Sequence, residues 1–174
     1  MISKKVEKEL NKQVNAEFYS AYLYLAMSAW FQDNNLKGFA NWMYIQYNEE
    51  SNHAQLLYHY ILERGGKIEF PAIASPKASW KNVVEIFTET LKHEKHVTSL
   101  IHNLMNISIA EKDHAAANFL QWFVNEQVEE ESNVIDILEQ LKMIDGKGTG
   151  LFMIDRELKA RVFNPVTLSG GKIA

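Results

Sequence analysis

Apolar residues recur at alternating intervals of three and four along four long stretches of this chain. Each stripe is interrupted near its middle by acid. The first reads Leu10, Val14, Glu17, Ala21, Tyr24, Ser28, Phe31, and the second Phe39, Met43, Gln46, Glu50, His53, Leu57, Tyr60. The third reads Val84, Phe87, Leu91, Glu94, Thr98, Ile101, Met105, and the fourth Leu120, Phe123, Gln127, Glu130, Val134, Ile137, Leu141. This spacing marks the buried face of an amphipathic helix. It predicts helices over 3–32, 36–64, 80–111, 114–144 and, more briefly, 151–162. Ser3 and Asp113 serve as N-caps, and Gly65-Gly66 stops the second helix. No strand pattern appears, so the expected class is all-α.

Four such helices are each about 40–45 Å long at 1.5 Å per residue. The links after the first and third are two or three residues and force antiparallel neighbours. The stretch from Gly65 to Ser79, with Pro71 and Pro76, reaches about 50 Å when extended and can run the full length of the bundle. The expected architecture is a four-helix bundle with one long crossover between the second and third helices and a short fifth helix. One domain spans 1–162, and a polar, flexible tail occupies 163–174.

Folding the hairpins brings Glu17 level with Glu50, and Glu94 level with the stretch from Glu126 to Glu130. Glu50 and His53 lie three apart on one helical face, as do Glu126 with Glu129 and Gln127 with Glu130. A carboxylate on a buried stripe costs several kcal/mol unless positive charge meets it. Four of them at one depth, joined by a histidine, point to bound cations. Oxygen donors with one imidazole and no sulfur suit iron or manganese, with zinc as a competitor. Without metal the crowded carboxylates repel, which raises their pKa values.

Composition narrows the field. The 174 residues are 47% hydrophobic, enough for one domain with a real core. A formal charge of -4 disfavours partners such as nucleic acid or an anionic membrane. The absence of cysteine removes disulfides and thiolate metal sites and is consistent with a reducing compartment. No uncharged apolar run approaches the roughly 18 residues of a membrane span, and residues 1–10 lack the apolar core of a signal peptide. A soluble, cytoplasmic protein is expected.

Glu17 with Tyr24, the run Glu49-Glu50-Ser51-Asn52-His53, Glu94, and the run from Asn125 to Glu130 occur in the order and at the separations of a known family. Over about residues 1–160 the chain resembles a ferritin of the bacterial non-haem type. The resemblance implies a ferroxidase centre that binds ferrous iron, oxidises it with dioxygen or peroxide, and stores it as ferric mineral. It places one iron on Glu17, Glu50 and His53. Glu50 would bridge to a second iron held by Glu94 and Glu130. A third, weaker iron site is matched by Glu49, Glu126 and Glu129, sharing Glu130. Gln127 would orient a water or peroxide, and Tyr24 would bond a ligand carboxylate or supply an electron. The family also implies a hollow homo-oligomer of twenty-four subunits.

The chain departs from relatives of other types. The stretch from Gln127 to Glu130 has no second Glu-x-x-His, and Ser51 stands where a haem-ligating methionine occurs in bacterioferritins. No haem is expected. Ala117 and Leu120 replace the acidic residues that line three-fold pores in animal ferritins. Trp30, Phe39, Trp42 and Trp80 are available for packing between chains, Trp122 for packing, and Met27, Met43 and Met105 for core filling. His59, His93, His96, His102 and His114 form no ligand pattern and are expected on the surface. Two other readings stay open here: a di-iron oxidase acting on a small molecule, and a non-catalytic helical scaffold.

Overall fold

A computed structural model describes residues 2–167. Five helices follow in order: α1 (Lys4–Asp33), α2 (Lys37–Glu63), α3 (Val83–Ala110), α4 (His114–Met143) and α5 (Gly148–Leu158). There is no strand among the described residues, and no helix among them is long and apolar enough to cross a membrane. Ser3 Oγ accepts from the Val6 N–H, and Asp113 Oδ1 from the Ala116 N–H, as the capping pattern predicts. Asn35 and Lys112, in the tight links, take the left-handed φ values of 59° and 57° that such abrupt reversals require.

Two expected boundaries move. α3 starts at Val83 rather than near residue 80, because Asn82 turns extended and its Oδ1 accepts from the Glu85 N–H. α5 starts at Gly148 rather than 151, following a turn through Asp145 (φ 52°) and Gly146 (φ 60°). It ends four residues earlier than expected.

α1 pairs with α2, α3 with α4, and α1 also packs on α3. Contacts across α1 and α3 show them antiparallel: Ser20 and Tyr24 meet His93 and Glu94, while Met27, further along α1, meets Thr90, earlier on α3. The crossover therefore returns α3 parallel to α2, and neighbouring helices are antiparallel. Asn11 holds its first part, donating to Lys67 O at 2.9 Å and accepting from the Glu69 N–H at 2.7 Å. Asn15 follows the chain onward to Pro71 O.

The core is divided. One apolar cluster gathers Tyr24, Met27, Phe31, Phe39, Met43 and Phe87 with Val134, Leu138 and Leu141. The other gathers Val6, Leu10, Val14, Leu57, Ile61, Ile101 and Leu104 with Leu120 and Phe123. Between them lie buried Glu17, Glu50, His53, Glu94, Gln127 and Glu130. Phe39, Trp42 and Trp80 are buried in the first cluster of their own subunit, so they do not serve packing between chains; Trp30 is half-buried. The tail is tethered at its start, where Val166 packs on the second cluster and its N–H donates to Asn52 Oδ1 at 2.9 Å. The remainder of the expected flexible tail, 168–174, lies outside the described residues.

α2 opens without a cap from its own sequence. Asp155 of α5 supplies one: its Oδ1 accepts from the Gly38 and Phe39 N–H groups at 2.8 and 3.1 Å. The approach is so close that a Cβ on Gly38 would fall 1.5 Å from the Asp155 carbonyl oxygen. Asp155→Ala is expected to lower stability by about 1–2 kcal/mol, and Gly38→Ala to displace α5. Thermal melts and amide exchange across 148–158 check both, and unaltered exchange in the two variants would place the anchor of α5 elsewhere.

Candidate metal centre

One residue of each long helix brings acid to the layer between the apolar clusters. Glu17 lies mid-α1, Glu50 mid-α2, Glu94 mid-α3 and Glu130 on α4, all of them buried. His53 follows Glu50 by one helical turn, and its Nδ1 sits 3.4 Å from Glu50 Oε2. Ligand atoms of Glu17, Glu50 and His53 all lie within 4.8 Å of one another, the single such group among the described residues.

Burial is the largest cause that raises Glu17, Glu50, Glu94 and Glu130 above the ordinary carboxylate range. Glu94 is pushed up to about 7. Mutual repulsion, which the sequence suggests as the cause, adds to this at Glu50, where Glu17, Glu94 and Glu130 all contribute. Burial also lowers His53 to about 4, so the imidazole is neutral near pH 7 and free to ligate. Glu17 Oε2 is buried with no hydrogen-bond partner. Only a proton retained by Glu50, or a cation, can meet the facing oxygens of this pair. Such a donor set fits a hard or borderline divalent metal.

Three of the four carboxylates, Glu17, Glu130 and Glu94, are oriented by neutral partners. Gln13 Nε2 donates to Glu17 Oε1 at 2.8 Å, and Gln46 Nε2 to Glu130 Oε2 at 2.8 Å. Tyr24 donates its hydroxyl to Glu94 Oε1, and burial followed by the Glu94 charge keeps that phenol protonated. Gln127 Nε2 lies 3.3 Å from Glu94 Oε2 and 3.2 Å from Thr98 Oγ1, while Thr98 donates to Glu131 Oε1 at 2.6 Å. Sequence reasoning missed Gln13, Gln46, Thr98 and Glu131 as supports. Gln13 stands four residues before Glu17 on the same face, and that spacing was the available signal for it; Gln46 reaches across to α4, which no local spacing marks.

The third acidic set is less gathered. Glu126 Oε1 is 3.9 Å from His53 Nε2, beyond hydrogen-bond length, and Glu129 is exposed. Glu49 is half-buried and engaged by Arg161, whose position no residue pattern foretells. The structure does not draw Glu49, Glu126 and Glu129 into one tight group. Trp122 packs edge-on to the His53 ring at 5.3 Å, as a packing residue. His93 departs from the surface position expected for it. It is half-buried between Tyr19 and Tyr24, with Nε2 2.8 Å from Ser20 Oγ. The other four histidines of that set are exposed.

Comparison with known proteins agrees with this geometry. A family profile described as Ferritin-like domain matches residues 7–144. A bacterial non-heme ferritin from Campylobacter jejuni is 38% identical over 91% of this chain and 95% of its own. A probable bacterial non-heme ferritin-like protein from Haemophilus influenzae is 42% identical over 91% of this chain and 96% of its own. Among solved structures, an engineered closed form of the Archaeoglobus fulgidus ferritin superposes with a TM-score of 0.92 at 44% identity, covering 94% of this chain and 100% of that one. The open-pore ferritin of the same archaeon gives 0.91 at 44% identity, covering 93% and 100%. An all-α bundle with a crossover, an acid layer at mid-height, and these relatives lead to one conclusion: the chain belongs to the ferritin family.

Proposed function

We propose that the mid-bundle centre is a ferroxidase site, at which two ferrous ions are bound as substrate, oxidised, and passed on for storage as ferric mineral. Ferritin-family membership supports iron storage as the task. The observation that carries the catalytic reading is the convergence of four buried carboxylates and a neutral imidazole, with a Glu17 oxygen that no protein donor satisfies except a protonated Glu50.

Glu17, Glu50 and His53 would hold one iron. Glu50 would bridge to a second on Glu94 and Glu130, and a third, weaker site would use Glu49, Glu126 and Glu129 beside Glu130. Two ferrous ions give one electron each, enough to take one dioxygen to the level of peroxide, and that redox chemistry belongs to the iron. The protein's part is placement. Gln13, Gln46, Tyr24 and Gln127 hold the carboxylates in ligating orientation before metal arrives. Tyr24 would give one electron to the dioxygen being reduced, its proton passing to Glu94 along the existing hydrogen bond. Large apolar side chains exposed at Phe70, Met143, Phe152 and Met153 support assembly of copies into a shell.

Glu50→Ala and Glu94→Ala are expected to slow initial ferrous oxidation about 10–100-fold or more, with the assembly unchanged. Ferric absorbance in air, alongside light scattering at hundreds of kilodaltons, checks this. Wild-type rates in both variants would remove the catalytic assignment, and a small oligomer would remove the shell.

Protons compete with metal for Glu17, Glu50 and Glu94, whose pKa values are raised, whereas His53 is already neutral. Affinity for Zn²⁺ should therefore climb as pH rises through about 7, the value for Glu94, with protons released on binding. Calorimetry in buffers of differing ionisation heat reads this directly; a pH-independent affinity would contradict it. The metal-free protein should stay helical and melt cooperatively, because the two apolar clusters do not depend on the ions. Circular dichroism of chelated protein showing an unfolded chain would refute this.

A further inference from the structure

Arg161 lies three residues beyond the end of α5, outside the bundle helices, yet its side chain reaches the acidic edge of the centre. Nη2 donates to Glu49 Oε2 at 2.6 Å, and Nη1 to the Trp42 carbonyl at 3.4 Å. The guanidinium carbon sits 4.7 Å from the Trp42 ring centroid, in cation–π contact. The backbone of this segment is pinned at both ends. Asn41 Nδ2 donates to the carbonyl oxygens of Leu158 and Arg161 at 3.3 and 3.0 Å, and the Val166 N–H donates to Asn52 Oδ1 at 2.9 Å. Residues 159–166 thus form a strap along α2, crossing beside Glu49. Its Arg161 favours the ionised forms of Glu49, Glu126 and Glu130, three of the four residues read above as the third iron site.

We propose that Arg161 is an intramolecular counter-ion at the third site, so that an incoming metal ion and the strap compete for Glu49. The inference rests on reading Glu49, Glu126 and Glu129 as that site. An arginine suits the role because its charge is permanent and its planar donors match a carboxylate. A divalent ion on Glu49 meets a carboxylate already paired through Oε2 with Nη2, and two cations on one carboxylate repel. Linkage makes the effect mutual: whatever factor Arg161 takes from metal affinity, metal takes from the hold of the strap. The third ion is therefore bound weakly by construction, which favours its onward release, while the Glu17–Glu50–His53 pocket is untouched by the exchange.

The test titrates redox-silent Zn²⁺ into the metal-free assembly of the wild type and of Arg161→Gln, Arg161→Lys and Glu49→Gln, by calorimetry. Amide exchange across 159–167 is followed in parallel. Breaking one charged hydrogen bond is worth about tenfold in affinity. Arg161→Gln should tighten the weakest ion by about that factor and leave the ion on Glu17, Glu50 and His53 as it was. Arg161→Lys, which keeps the charge, should stay near the wild type. Filling the weak site in the wild type should speed exchange at Val166. A weak ion bound equally by wild type and Arg161→Gln would overturn the competition while leaving the third site standing. Absence of a third ion in both proteins, or one indifferent to Glu49→Gln, would overturn the site and the competition together.

Discussion

Carboxylates withdrawn from water set the terms for this structure. Glu17, Glu50, Glu94 and Glu130 are each all but fully buried, and they occupy one layer between two apolar clusters that supply the bundle's cohesion. Ionising even one of them in that layer is costly, and ionising four together is costlier still. The protein meets this in two stages. Protons stay on some of the acids, as the raised pKa values indicate, and amides and a phenol hold the oxygens in fixed directions. On the function proposed above, a pair of metal ions would complete the arrangement by replacing those protons with charge.

The split core makes such a layer affordable. Leu, Ile, Phe and Met pack above and below it over the length of four helices, so the polar layer does not have to contribute to stability. Carboxylates at mid-height are also sealed from solvent at both helix ends. This raises their proton affinity and, once the protons are displaced, strengthens their grip on a cation. Rigid helices rather than loops carry all five proposed ligands, which would suit a site that accepts and releases ions without losing its shape.

Connections outside the bundle tie its architecture to its chemistry. Asn11 and Asn15 lay the crossover along α1 and so allow α3 to run parallel to α2, which brings Glu94 opposite Tyr24. Asp155 caps α2 from α5, and the strap that follows α5 delivers Arg161 to Glu49. The C-terminal segment therefore belongs to the centre as much as to the packing, although nothing in its own residue pattern announces it.

Much of this was legible in the chain. The three-and-four spacing and the capping residues located four helices to within a few residues, because amphipathic periodicity and cap chemistry are local properties. The acid interruptions also named Glu17, Glu50, His53, Glu94 and Glu130, which the fold buries in one layer, since a polar break in an apolar stripe is itself a local signal. Tertiary structure alone decided what faces what across helices. It paired Gln46 with Glu130, set His93 between two tyrosines on a half-buried face, turned Phe39, Trp42 and Trp80 into their own core, and put Arg161 beside Glu49. Those contacts join residues dozens of positions apart, and their existence depends on helix rotation and on the path of a strap, neither of which leaves a periodic trace in the sequence.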